Sequence, residues 1–453
     1  MDTLYSKALG ARLLSVANDL KRTPEALARE LHLPEPRVRQ VLTGEADTEA
    51  ALDLLHRMVA FYPLPLAEVW VERPDTDQGV RLMKAADSVA SSRVFSRRGR
   101  GGALSPYYEY RDTATSRLAP YRPEWIQPLR IVADADADNP DVVYNHGHLM
   151  HQTTFFIGKV NFYWSLGGRR YCAELETGDS NYITPFVPHS FTSRDAAAPG
   201  VIIAVTYGAE VGRALDALAR VGAEGAGELA GDLREPGSAH AALVRRYRSA
   251  ESLSPAQLTQ RLQEAGVVPQ RAEALASGAP PAHGGELEAL ATALGVRPSD
   301  LAMRPLAPED EVIVRRARDG RARPYPDTGT PSYRVMELAR TPHQPGLRGF
   351  DWAVLDASSQ PALVRHGLHE YIYNHGDAPV VLRWGRGQEA LLGPGDSAYV
   401  EPMAPHGFSR VEGEGRLVVI RVPGALSDPV LRELSTFATE GRQRTAGESR
   451  SWF

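Results

Sequence analysis

Two stretches of the chain repeat one arrangement of ligand-type side chains. In the first, NHGHLMHQ is followed by GDSNYITPFVPH; in the second, LVRHGLHE is followed by GDSAYVEPMAPH. Each places a His four residues before a Gln or Glu. A further His comes about 36 residues on, at the end of a Gly-Asp-Ser…Pro-x-x-Pro-His phrase. The first set is His148, Gln152 and His189; the second is His366, Glu370 and His406. Two imidazoles and one oxygen donor on one face of an octahedral ion are how a small β-barrel holds non-haem Fe(II), with positions left open for substrate and O2. Side chains four apart in a strand point to the same face, which would bring His148 and Gln152 together.

Glu370 is formally the better ligand, because an amide oxygen donates less well than a carboxylate. The neighbours favour the first set. Asn145 stands three residues before His148, where the second repeat has Leu363. Tyr110 of PYYEY corresponds to Val335 of PSYRV, and Lys21 before the first Thr-Pro corresponds to Ser252. The first set keeps polar, anion-binding groups that the second lacks. The metal is therefore expected at His148, Gln152 and His189, and the second set is expected to be degenerate.

The elements that must carry these residues also repeat. Residues 1–75 show helical periodicity broken by Pro and Gly, with Thr23-Pro24 as a helix start. SSRVFSRRGRGGALS is basic and Gly-rich and reads as a mobile loop. Residues 126–210 hold short strand-like runs between Gly, Asp and Pro turns: LRIVADA, TTFFIGKVNFYWSL, RRYCAEL, SNYITPFV and GVIIAVTYG. SPAQLTQRLQEAGV then parallels TPEALARELHL, and strand character resumes after residue 325. The expected class is α+β, a tandem repeat of an all-α helix-turn-helix-like bundle followed by an antiparallel jelly-roll barrel. The segments are 1–75 (bundle), 76–210 (barrel with the site), 211–305 (second bundle), 306–425 (second, degenerate barrel) and 426–453 (helix and tail).

These residues resemble a known family, the tandem-cupin non-haem iron enzymes of phosphonate metabolism. It includes 2-hydroxyethylphosphonate dioxygenase, methylphosphonate synthase and the related hydroxypropylphosphonate epoxidase. The likeness spans nearly the whole chain and is carried by NHGHLMHQ, GDSNYITPFVPHS and PYYEY. The third ligand separates the members. The dioxygenase has a Glu six residues before its last His, where this chain has Ile183. The synthase has a Gln four residues after its first His, as Gln152 stands here. On this point the chain is similar to methylphosphonate synthase. The resemblance implies Fe(II)- and O2-dependent cleavage of 2-hydroxyethylphosphonate to methylphosphonate and carbon dioxide. The alternative product set is hydroxymethylphosphonate and formate. Either way the C–C bond supplies the electrons for O2.

The resemblance also implies that Lys21, Tyr110 and Asn145 bind the phosphonate beside the ligand His189, with Lys21 and Tyr110 acting in catalysis. The family Lys reaches a metal site on another subunit or repeat, and a homo-oligomer is implied. The family Arg upstream of the Tyr is displaced: its place falls near Gly102, and Arg100 is the nearest candidate. A family polar residue late in the barrel falls near Ala204, with Thr206 two residues on.

Composition sets outer limits. At 453 residues the chain suits several domains, and a net charge of −5 gives no general pull toward nucleic acid or anionic membrane. One cysteine, Cys172, excludes an intrachain disulfide framework and points to a reducing cytoplasm. No run of 18 apolar residues suggests a membrane span. A helix-turn-helix before a cupin is also the plan of a ligand-responsive transcription regulator. Residues 1–75 carry nine Lys and Arg against twelve Asp and Glu, so nucleic acid binding is not expected. A metal-dependent isomerase or sugar-binding cupin fits less well with Lys21, Asn145 and Tyr110.

Overall fold

The computed structural model describes residues 2–99 and 102–447. The chain is α+β, with groups of helices alternating with antiparallel sheets. Helices Asp2–Asp19, Pro24–Glu30, Glu35–Leu42 and Thr48–Phe61 bury Leu9, Leu13, Leu27, Val38, Leu54 and Met58 in one core. Thr23 starts the second of them: its hydroxyl accepts from the Ala26 N–H at 3.3 Å, satisfying a donor that a first turn leaves open. A second helical group, including Pro236–Ala250, Pro255–Glu264 and Gly284–Leu294, closes on Leu243, Leu258, Leu262 and Leu290. Among the described residues no helix is long and apolar enough to cross a membrane.

Each repeat has one seven-stranded and one three-stranded antiparallel sheet, and the strand orders are open rather than closed. The first large sheet runs Val312–Arg315, Ser180–Ile183, His151–Ile157, Val201–Tyr207, Tyr121–Pro128, Leu104–Asp112, Arg93–Arg98. The second runs Val80–Met83, Ser397–Val400, His369–Asn374, Gly415–Val422, Arg348–Val354, Tyr333–Glu337, Arg323–Tyr325. The basic segment expected to be a mobile loop is largely strand: Arg93–Arg98 pairs with Leu104–Asp112. The run TTFFIGKVNFYWSL is two strands in different sheets, His151–Ile157 and Val160–Leu166. They are broken at Gly158, whose φ of +75° is costly for a residue with a Cβ.

The repeats exchange edge strands. Val80–Met83 lies in the segment expected to form the first barrel, yet pairs with Ser397–Val400. Val312–Arg315 lies in the second and pairs with Ser180–Ile183. Both exchanges are held by the repeated Gly-Asp-Ser phrase. Asp179 accepts from the Ala317 N–H at 2.8 Å and from Arg316 Nη1 at 3.1 Å, just past one exchanged strand. Asp396 accepts from the Ala85 N–H at 2.8 Å and from Lys84 Nζ at 2.7 Å, just past the other. Ser180 and Ser397 each accept from an amide of the opposite repeat, Ala339 and Ala114, both at 2.8 Å.

Strand alternation then gives each large sheet two buried faces. In Val201–Tyr207, Ile202 and Ala204 line the interior of the first repeat, while Ile203, Val205 and Tyr207 face the second. In Gly415–Val422, Leu417 and Val419 line the second interior, while Val418, Ile420 and Val422 face the first. Tyr121, Tyr182, Tyr371 and Tyr399 fill the shared core. The Tyr121 hydroxyl donates to the Glu370 carbonyl across it at 3.0 Å.

Two histidines at this shared face are held neutral. His151 Nδ1 lies 2.7 Å from the Tyr182 hydroxyl and His369 Nδ1 2.7 Å from the Tyr399 hydroxyl. Burial lowers both to about 4. Between pH 6.5 and 4 the unfolded chain takes up protons that the folded chain refuses. Stability therefore falls with pH there, by up to about 1.4 kcal/mol per pH unit for each histidine. Unfolding midpoints of metal-free protein between pH 7 and 4.5 should fall, and His151→Gln with His369→Gln should flatten that fall. An unchanged slope in the double variant would count against the assignment.

Candidate metal centre

The strand His151–Ile157 carries Gln152 on the face toward the first interior, with Thr154 and Phe156, while Phe155 faces the opposite repeat. His148 does not share that strand, as the same-face expectation supposed. It lies in the loop before it. That loop is held over the Pro-Phe-Val-Pro-His segment by the Phe186 N–H, which donates to the His148 carbonyl at 2.8 Å. The crossing is possible because residue 147 is glycine. It has a φ of +75°, and a Cβ there would sit 2.4 Å from the Phe186 backbone. His189 opens the strand His189–Ser193. Asn145 ties loop to strand: its Oδ1 accepts from the His189 N–H at 2.8 Å and the Gly147 N–H at 3.0 Å.

The geometry brings the three expected ligands together. The rings of His148 and His189 are 5.2 Å apart between centroids and nearly perpendicular. Nδ1 of His148 faces the Met150 carbonyl and Nδ1 of His189 the Val187 carbonyl, both at 2.9 Å. A carbonyl only accepts, so both Nδ1 atoms carry hydrogen and both Nε2 atoms present a lone pair that can bind a metal, that of His189 here accepting from Asn145 Nδ2 at 3.1 Å. Burial lowers His189 to about 4, which keeps it neutral at pH 7. The Gln152 amide nitrogen donates to Thr154 at 3.0 Å, which turns Oε1 toward His148 Nε2, 3.2 Å away. Two acceptors facing each other at that distance call for a cation between them. The donor set thus fits a divalent metal.

These residues line a cavity of about 180 Å3 with Arg97, Tyr108, Tyr110, Glu124, Ile126, Met150, Phe191 and Thr206. Tyr110 and Asn145 line this same cavity. Lys21, expected to serve a site on another subunit or repeat, lies away from it in the turn after the first helix, exposed, with Nζ donating to the Asn18 carbonyl at 3.3 Å. Arg100 lies outside the described residues. The arginine that reaches the cavity is Arg97, which sequence reasoning missed. Its guanidinium lies over Tyr107 and Tyr108, 4.9 and 4.7 Å from the ring centroids, and donates to Ser190 at 3.3 Å. Arg97 keeps the face of Arg93 and Phe95, which pair with Tyr110 and Tyr108, because the extra residue of the bulge falls on the partner strand at Tyr107; it was missed because its basic, Gly-rich segment read as a loop. Glu124 was missed too; burial pushes its carboxyl up.

The second set forms a tighter cluster. Glu370 accepts from His366 Nε2 and His406 Nε2, both at 2.8 Å, and from Arg421 Nε. Burial alone would raise the Glu370 carboxyl, but Arg421, His406 and the hydrogen bonds outweigh it and hold it well below the usual range. His406 shifts upward against its own burial, driven by Glu370.

No protein-family model matches the sequence. Methylphosphonate synthase of Nitrosopumilus maritimus is 35% identical, over 98% of this chain and 95% of that protein. The solved structure of Streptomyces albus HEPD, with its substrate 2-hydroxyethylphosphonate and Fe(II) bound, superposes with a TM-score of 0.87 at 37% identity. It covers 99% of this chain and 100% of its own. A variant of 2-hydroxyethylphosphonate dioxygenase has the same fold at a TM-score of 0.74 and 19% identity, covering 99% of this chain and 100% of its own. The chain belongs to the family of methylphosphonate synthase and 2-hydroxyethylphosphonate dioxygenase, non-haem iron oxygenases that act on small phosphonates.

Proposed function

We propose that this enzyme holds Fe(II) at His148, Gln152 and His189 and cleaves the C–C bond of 2-hydroxyethylphosphonate with O2, releasing methylphosphonate and carbon dioxide. The observation that carries the reading is the convergence of two tautomer-locked imidazoles and Gln152 Oε1 on a cavity that also contains Arg97, Tyr110 and Asn145. The architecture that goes with it is the tandem bundle-and-cupin plan, with the segment boundaries given above.

Bound Fe(II) would supply the redox chemistry, activating O2 beside the substrate. The chain's own groups bind and orient. Arg97 offers a fixed cation with N–H donors suited to phosphonate oxygens. Asn145 Nδ2, now 3.1 Å from His189 Nε2, turns its donor to the substrate once that lone pair is taken. Burial raises the Tyr110 hydroxyl, so it stays a donor. Ile126 and Phe191 limit water. Lys21 would serve the cavity of another copy, which is the reason to expect a homo-oligomer. A cytoplasmic setting suits Cys172, whose thiol burial pushes up to about 12.

The second reading, hydroxymethylphosphonate with formate, is favoured by the 37% identity to the Streptomyces albus protein. Gln152 argues for the first. Protein loaded anaerobically with Fe(II), then given 2-hydroxyethylphosphonate and air, separates them by phosphorus NMR. Methylphosphonate is expected; hydroxymethylphosphonate selects the second reading, and no turnover removes both.

Three substitutions probe the site. Gln152→Ala should weaken iron binding at least ~10–100-fold, the range for groups that merely support a ligand; unchanged iron content refutes the ligand assignment. Arg97→Ala should lower kcat/KM by about 10–100-fold through lost charge-assisted bonds of about 1.5–3 kcal/mol, with iron content retained. Gly147→Ala should displace the His148 loop and reduce iron occupancy more than it lowers the unfolding midpoint. Full iron content in that variant would show that the close crossing is not needed.

A further inference from the structure

The second cluster has the outline of a metal site: one ligand atom each from His366, Glu370 and His406, all within 4.8 Å of one another. We infer that it is a divalent-metal site already occupied by a side chain of the protein, with the Arg421 guanidinium standing where a cation and its open coordination positions would be.

Sheet register makes the comparison residue by residue. Gln152 pairs with Thr206 in the first repeat, and Glu370 pairs with Arg421 in the second. A neutral ligand beside a hydroxyl has become a carboxylate beside a cation. The cavity wall changes with it. Glu124 and Ile126, opposite Ala204 and Ile202, correspond to Phe350 and Trp352, opposite Val419 and Leu417. The Arg421 guanidinium lies 5.2 Å from the Phe350 ring and 5.5 Å from the Trp352 ring. One carboxylate and two aromatic faces thus hold the cation where the first repeat has open space.

The histidines are also set differently. His366 Nδ1 accepts from the Leu368 N–H at 3.3 Å, so its Nε2 carries the hydrogen and donates to Glu370. His148 has the opposite tautomer, with Nε2 left as a lone pair. In the second repeat, therefore, a metal must displace Arg421 from Glu370, and the Nε2 hydrogens with which His366 and His406 hold that carboxylate, before it can bind.

The test counts Co(II) bound to the full-length, metal-stripped protein by equilibrium dialysis and elemental analysis. Arg421→Thr, which installs the first repeat's residue, should bind one more equivalent than wild type. Glu370→Ala added to it should abolish that gain. Glu370→Ala alone should leave the wild-type count unchanged while lowering the unfolding midpoint, because Arg421 loses its counter-charge. The inference is overturned if folded Arg421→Thr gains nothing, or if Glu370→Ala alone loses an equivalent. Should Arg421→Thr fail to fold, the count in Glu370→Ala, or in His406→Asn, still decides. The readout is a difference between variants. A wrong assignment of the first site, seen as no metal lost in Gln152→Ala, therefore stays distinguishable.

Discussion

Everything in this protein depends on the two large sheets burying both of their faces. Residues of one parity in His151–Ile157 and His369–Asn374 close an interior where Gln152 and Glu370 are placed. Residues of the other parity pack into a tyrosine-rich core shared by the repeats. Shifting either strand by one residue would turn the ligand into the shared core and a core side chain into the interior. The site is therefore held in register by packing against the other repeat, well away from the metal ligands.

The Gly-Asp-Ser phrase has a larger role than a turn leading toward the last histidine. Its aspartate and serine fasten an edge strand and a backbone amide from the opposite repeat, in both directions. A sheet edge left bare would present unpaired N–H and C=O groups. Here one edge of each large sheet is covered by a strand from the other repeat. The duplicated unit is consequently not a pair of independent halves.

The two repeats also show what duplication permits. With strand register and both imidazoles retained, one interior carries a neutral amide, a hydroxyl and an open cavity. The other carries a carboxylate, a guanidinium and aromatic filling. Gln152 and Thr206 carry no charge, whereas Glu370 and Arg421 offset each other. Mixing them would leave a buried charge without its partner, which is costly in a low-dielectric interior.

Much of this was legible in the sequence because its signals are local. The repeated His and Gly-Asp-Ser phrases, the Thr23 helix start and the alternation of the central strands all follow from residues near one another. So did the grouping of His148, Gln152 and His189, although His148 arrives from a loop held by the close approach at Gly147 and not from a shared strand. Arg97 was hidden because its basic, Gly-rich segment read as a loop, Lys21 lies away from the cavity of its own chain, and the strand exchange leaves no local trace. The amino-acid sequence by itself determined which side chains recur and which chemistry they offer. Only the tertiary structure decided which interior stays open. That choice rests on contacts such as Arg421 with Glu370, Phe350 and Trp352, between strands far apart in the chain that only folding brings into register.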